Sequence, residues 1–245
     1  MKDNFSSHAS VYAQFRPVYP AELYDFLFSL IQHRELAWDC GCGNGQVAGM
    51  LADHFERVEA TDISQKQLDQ AVKKPNISYQ LAPAEKVNIP ANTVDLVTVA
   101  QAIHWFDFAK FYREVRRVGK PDALIAVWCY SLLTVNKEVD AIIQKLYADA
   151  LGDKYWDPER HYVEEGYQTI PFPFDEITAP DFKIRVSWTP DHLIGYLNSW
   201  SAVQHYIRDN NSNPVEKISA ELRDAWGAQD VQEVVFPLFA RVGKI

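Results

Sequence analysis

A chain of 245 residues with 47% hydrophobic and 23% charged residues has the balance of a folded globular protein with a full core, which excludes a disordered or low-complexity class. Its formal net charge of −9 argues against a nucleic-acid partner, because phosphate contacts demand a basic face. No charged-then-apolar leader opens the sequence and no apolar run approaches the ~18 residues of a membrane span, so no membrane association and a cytoplasmic setting are expected.

In chain order, "FSSHASVYAQFRPVYP" is polar and aromatic and ends in two X-Pro steps that break any helix. After Pro20, Leu23, Phe26, Leu27, Leu30 and Ile31 recur at helical spacing. "ELAWDC" predicts a short buried strand, followed by three glycines at alternate positions. A helix then runs over "GQVAGMLADHF", with Val47, Met50, Leu51 and Phe55 on one side. "RVEATD" predicts a second strand. Ser64 caps the next helix, with Gln67 three residues on to complete a capping box. "NISYQLAPAEK" holds a third strand and "VDLVTVAQ" a fourth, rich in β-branched residues and buried on both faces. Helix "FAKFYREVRRV" turns Phe108, Phe111, Tyr112, Val115 and Val118 to one side and Arg113, Arg116 and Arg117 to solvent. It stops at Gly119 with Pro121 beyond. "ALIAVWCY" is a fifth strand. Strand and helix alternate five times, which predicts a parallel sheet with helices on both faces.

The rhythm changes after Tyr130. A helix over "NKEVDAIIQKLYADALG" leads into residues 153–181, rich in Pro, Tyr, Trp and Phe and without periodicity. "FKIRVSW" alternates as a half-exposed strand, Thr189 and Pro190 start a helix over 190–209, and another helix spans roughly 214–226. "VQEVVFPLFARVG" closes the sequence as a strand in which Pro237 removes a ladder donor, so a bulge or pairing mainly after Pro237 is expected. We expect a single domain over 1–245, with a cap insertion at about 130–181 and the helix 190–209 over the substrate. The 13% aromatic content, concentrated after residue 100, points to an aromatic-lined pocket there.

The stretch "DCGCGNG", residues 39–45, joins a strand to a helix and brings backbone N–H groups and a positive helix end together without Cβ atoms in the way. A dinucleotide loop needs G-x-G-x-x-G. Gly41 and Gly43 fit that pattern, but the third position is Gln46. Cys40 and Cys42 lack the spacing of common zinc sites and no second Cys/His pair follows them, so no metal is expected and the cysteines are small fillers between glycines.

What stands instead, D-x-G-x-G-x-G, resembles the first motif of class I S-adenosylmethionine-dependent methyltransferases. "VYAQFRPVYP", "AQAIHWFD" and "WTPDHLIGYLNSWS" are similar to segments of the methyltransferase type 11 superfamily, and most similar to the branch containing trans-aconitate methyltransferase and its fungal relatives. The resemblance covers essentially the whole chain. It implies a Rossmann-like α/β fold with a seven-stranded mostly parallel sheet, one antiparallel C-terminal strand, helices on both faces and a helical substrate cap. It also implies S-adenosyl-L-methionine as cofactor. Asp39 would orient the methionine ammonium, with Cys40, Gly41, Gly43 and Gly45 in the loop. Asp62, 21 residues after Gly41, and Ile63 would meet the ribose, Ala84 and Glu85 the adenine, and Gln101 and Ala102 the crevice at the end of the fourth strand. Tyr12 and Arg16 would lie over the cofactor.

His104, Trp105 and Trp200 are the substrate-side candidates, with Ser201 beside them. His104 reads either as a catalytic base or as a structural histidine, and the two tryptophans either as pocket walls or as core. The acceptor is expected to be a small molecule methylated on an oxygen of a carboxylate or hydroxyl. The Asn/Asp-Pro-Pro-aromatic motif of DNA amine methyltransferases is missing from "AQAIHWFD". Methylation of a quinone-like ring carbon, and a cofactor-binding protein without turnover, stay open. Arg160 and Arg185 are available for a carboxylate, neither placed by a motif. The sequence does not specify an oligomeric state.

Overall fold

The computed structural model describes residues 15–245; Tyr12 lies outside them. The architecture starts from β1 (Leu36–Cys40), which is buried along its whole length. Its pleat sends alternate side chains to opposite faces. Ala37 joins one hydrophobic cluster with Leu51 and Leu96, while Trp38 and Cys40 join another with Val97 and Phe111. Burial on both faces is what a central parallel strand requires. β2 (Arg57–Asp62) and β4 (Val94–Ala100) flank it, β3 (Ile77–Leu81) forms an edge, and β5 (Gly119–Tyr130) follows β4. All these pairings are parallel.

The closing strand β8 (Gln232–Lys244) runs antiparallel to β5, from Tyr130↔Leu238 to Leu124↔Lys244. Its other side is paired by two shorter strands, β6 (Asp175–Ile177) near its end and β7 (Phe182–Trp188) along its first half. The sheet therefore has eight strands where seven were expected, because the edge partner of β8 is divided in two. Pro237 causes no bulge in the β7 pairing, where it sits opposite Lys183. Its carbonyl accepts from Ser131 N on the β5 side, just past the end of β5. The missing N–H thus falls where the β5 ladder has already stopped.

Helices cover both faces. On one lie α1 (Ala21–Ser29), α2 (Gln46–Leu51), α3 (Gln65–Asp69) and most of the segments after β5; on the other lies α4 (Phe108–Val118), joined by Val163, Tyr167 and Ile170. α2 is shorter than its apolar pattern suggested, ending at Leu51 in a turn. α4 runs straight into β5, since Gly119 is extended and pairs with Val94 instead of closing the helix in a left-handed turn.

After β5 a helical layer forms from α5 (Lys137–Lys145), a π-helical segment Leu146–Leu151, α6 (Gly152–Tyr155) and α7 (Arg160–Glu164). α8 (Pro190–Asn198), α9 (Ser201–Asn210) and α10 (Pro214–Trp226) complete it. The helix expected over 190–209 is broken. Ser199 Oγ donates to the Tyr196 carbonyl at 2.6 Å and Trp200 is extended, which ends α8 and starts α9. The break turns the chain at Trp200, and its ring packs 5.4 Å from Trp156 and 6.0 Å from Tyr196. Among the described residues no helix is long and apolar enough to cross a membrane.

Candidate active site

The loop between β1 and α2 turns with left-handed backbone at Gly41, Gly43 and Gly45, a conformation that costs glycine least. Gly41 is also pressed for space. A Cβ there would stand 2.6 Å from the Ala102 Cβ, so the loop rests directly on the residues that leave β4. Most of the loop's N–H groups are already used. Gly41 and Cys42 donate to the Thr61 carbonyl at 2.8 and 3.0 Å, and Gly43 donates to Asp62 Oδ2 at 2.8 Å. A phosphate-binding loop keeps such donors for its anion; this one gives them to β2. That agrees with the reading drawn from Gln46.

α2 begins at Gly45, which has no side chain to cap it. Asp39 supplies the cap from across the loop. Its Oδ2 accepts from Ala48 N at 3.0 Å and its Oδ1 from Thr98 Oγ1 at 2.9 Å. Burial pushes its pKa up to about 7, with the Asp62 charge adding to the rise. No cation stands beside it among the described residues.

Asp62 Oδ1 accepts from Ser64 N at 2.9 Å, taking the bond that a capping box would give to Gln67. Only half of that box forms, with Ser64 Oγ accepting from Gln67 N at 3.4 Å. The Gln67 Oε1 is instead buried without a hydrogen-bond partner, facing Gly43.

Cys40 and Cys42 are buried, and burial raises both thiols well above their usual range, so they stay protonated. Ala84 is buried and Ile63 half-buried. Glu85 Oε1 accepts from Asp107 N at 2.9 Å, at the start of α4. Gln101 is left-handed, with φ 54°, and pinned to β5. Its N–H donates to the Trp128 carbonyl and its Nε2 to the Tyr130 carbonyl, at 2.9 and 3.0 Å.

Next to this loop, beyond Gln101, a cavity opens. Arg16, Gln101, His104, Trp105, Trp200 and Ser201 all line it. The sequence reading did not single out three further lining groups, Trp156, Asp157 and Tyr196, and it left a fourth, Arg160, without a position. Arg185 does not join them, pairing with Glu233 at 2.7 Å on β7. The missed residues lie in the aperiodic 153–181 stretch, apart from Tyr196. That residue stands four before Trp200, an aromatic pair at helical spacing that would have been a usable signal.

The two arginines are held differently. Arg16 Nη1 donates to Tyr130 Oη at 2.7 Å and its guanidinium sits 5.3 Å from the Tyr196 ring centre. Arg160 Nε donates to Tyr147 Oη at 3.1 Å, and its guanidinium stacks 4.9 Å from the Trp156 ring centre. No hydrogen bond from either Nη of Arg160 is formed among the described residues.

His104 belongs to a 3-10 turn, Ile103–Trp105, and is buried with its Nδ1 2.8 Å from Tyr167 Oη. Burial, aided by the Arg160 charge, lowers its pKa to about 3. The imidazole is neutral at physiological pH.

A family model for a methyltransferase domain matches residues 38–127. This window runs from β1 into β5 and leaves out the helical layer. A Dictyostelium discoideum protein named as a methyltransferase is 34% identical over 99% of this chain and 95% of its own length. A Mycobacterium tuberculosis protein named as an uncharacterized methyltransferase is 35% identical over 82% of this chain and 78% of its own. The solved structure of a protein described as a type II methyltransferase, from Anaeromyxobacter dehalogenans, is 43% identical. It covers 94% of this chain and 98% of that one with a TM-score of 0.86.

Proposed function

The chain belongs to the class I S-adenosylmethionine-dependent methyltransferases, and from that premise we propose that it methylates an oxygen, of a carboxylate or a hydroxyl, on a small organic acceptor. The observation that carries this reading is the pairing of two guanidiniums, Arg16 and Arg160, with an aromatic wall of Trp105, Trp156, Tyr196 and Trp200 in one cavity. Guanidiniums suit an anionic oxygen, and aromatic faces suit a flat organic body and a nearby sulfonium.

The residues of the crevice fit the methyl donor. Asp39 is a buried carboxylate without a cation partner among the described residues and with a raised pKa, a place where a ligand's ammonium group relieves the cost of the charge. We assign it to that group, and Asp62 with Ile63 to the ribose hydroxyls. Gly41, Gly43 and Gly45 with Cys40 let the backbone close on the donor. Ala84 and Glu85 are assigned to the adenine side, and Gln101, Ala102 and Arg16 to the boundary between donor and acceptor.

When bound, S-adenosylmethionine supplies an electrophilic methyl group and a neutral thioether leaving group. The chain's own residues align the acceptor and exclude water. Alignment in an enclosed site is the larger part of such catalysis, and the tryptophan walls provide the enclosure. A carboxylate acceptor needs no base at neutral pH.

The test is formation of S-adenosylhomocysteine with a panel of small carboxylic acids, phenols and quinone-like rings, followed by locating the methyl group in any product. Ester or ether products support the reading. A C-methylated product, or binding of S-adenosylhomocysteine with no turnover on any member of the panel, overturns it.

A further inference from the structure

Tyr167 lies 63 residues from His104 in sequence, yet its phenol touches the imidazole. The chain goes to some cost to put it there. Gly166 and Tyr167 are both left-handed, with φ 59° and 62°, a conformation costing a bulky residue about 1 kcal/mol. Such outliers persist where the surroundings over-determine them, often at functional sites. Tyr167 is held by its N–H donating to the Tyr162 carbonyl at 2.7 Å and by its carbonyl accepting from Arg241 Nη1 at 3.0 Å. Its ring is fully buried. A Cβ on Gly166 would stand 2.8 Å from the Phe239 ring, so the left-handed turn is also pressed against β8.

The imidazole has two nitrogens, and the hydrogen bond of one decides the proton of the other. Nδ1 faces Tyr167 Oη. Nε2 has no hydrogen-bond partner among the described residues, and His104 lines the acceptor cavity. A phenol hydroxyl is a strong donor, its ring-conjugated oxygen a weak acceptor, and a neutral imidazole nitrogen accepts well. The favoured arrangement is therefore O–H from Tyr167 to the Nδ1 lone pair, which leaves the single imidazole proton on Nε2.

We propose that Tyr167 is a positioning residue that fixes His104 as the Nε2–H tautomer, so that His104 donates a hydrogen bond to an acceptor oxygen and does not act as a base. The inference rests on the oxygen-acceptor reading above for what Nε2–H meets, but not for the tautomer itself. Arg16 and Arg160 line the same cavity as charged donors, and His104 adds a neutral one.

The tautomer is read by long-range ¹H–¹⁵N correlation of the imidazoles, with the His104 signals assigned by their loss in His104→Gln. The protein with bound S-adenosylhomocysteine should show a protonated Nε2 and a bare Nδ1. Tyr167→Phe keeps the ring and removes the donor, and should give a tautomer mixture. With a turned-over acceptor, Tyr167→Phe should lower kcat about tenfold while cofactor affinity changes less than about twofold. His104→Gln keeps a neutral N–H donor and should retain more than about a tenth of the activity, whereas His104→Leu should fall well below it. A protonated Nδ1 in the wild type, an unchanged spectrum in Tyr167→Phe, or equal losses in the Gln and Leu variants overturns the proposal. If no acceptor turns over but the tautomer is as stated, it is the oxygen-methylation reading that fails.

Discussion

The two sides of the crevice are built from different ranges of contact. Around the glycine loop, Asp39, Gly41, Gly43 and Asp62 bond one another and Thr61, Ser64, Ala48 and Thr98 across three neighbouring strands of the sheet. Around the cavity that we propose takes the acceptor, the side chains come from the stretch before α1, the turn after β4, α6 to α7 and the α8–α9 break. The first side is a backbone device, in which side chains serve mainly to close a loop. The second is a side-chain device, in which the backbone mainly delivers rings and guanidiniums. Changes on the loop side should therefore affect folding and donor binding together, while changes on the cavity side should affect the acceptor alone.

The largest effect is expected from Gly41→Ala. The new Cβ meets Ala102 in a left-handed residue, so a loss of about 2–3 kcal/mol in stability and of at least about a hundredfold in S-adenosylhomocysteine affinity is expected. Urea unfolding and calorimetry measure the two; a stable variant with intact affinity would break the comparison at its base. Asp62→Ala removes the acceptor for both Gly43 N and Ser64 N. It should weaken the same affinity by about a hundredfold, and unchanged binding would sink its assignment to the ribose.

Asp39→Asn sharpens the loop side through pH. The wild-type carboxyl titrates at about 7 when folded and near 3.9 when unfolded. The native state then holds more protons between those values, so this group makes stability fall as pH rises through that window. His104, lowered to about 3, acts in the opposite sense, since the unfolded state gains its proton below about 6.5. The difference between variant and wild type cancels the histidine. Asp39→Asn should gain about 2 kcal/mol on the wild type between pH 5 and 8, and a difference that does not change with pH would refute the buried-charge account.

The smallest effect is expected on the cavity side. Arg160→Met removes the guanidinium stacked on Trp156 and should raise the acceptor KM about tenfold while donor affinity stays within about twofold. A matching loss of donor affinity would show that the two sides are not separable.

What was legible in the sequence divides along the same line. Asp39, the three glycines and Asp62 could be read because parallel strand ends bring neighbouring motifs together wherever strand and helix alternate. The cavity was legible only in part. His104 and Trp105 follow β4 directly, and Trp200 lies in a segment that resembled relatives. Arg160 and Trp156 sit in a stretch without periodicity, and Tyr167 reaches His104 only through two left-handed residues that no local pattern announces. The divided edge strand escaped for a similar reason, since β6 spans only Asp175–Ile177 and is defined by its pairing with β8.

The sequence by itself determined the alternating strand–helix order, the strand–glycine loop–helix unit that we assign to the methyl donor, and the class of reaction, because these depend on residues close in the chain with fixed spacing. Only the tertiary structure decided that Asp39 caps α2, that Pro237 falls beyond the β5 ladder, that Arg160 lines the cavity with His104, and that Tyr167 meets His104. His104 and Tyr167 are 63 residues apart, and the geometry of these contacts is set by packing against both faces of the sheet, which no window of sequence contains.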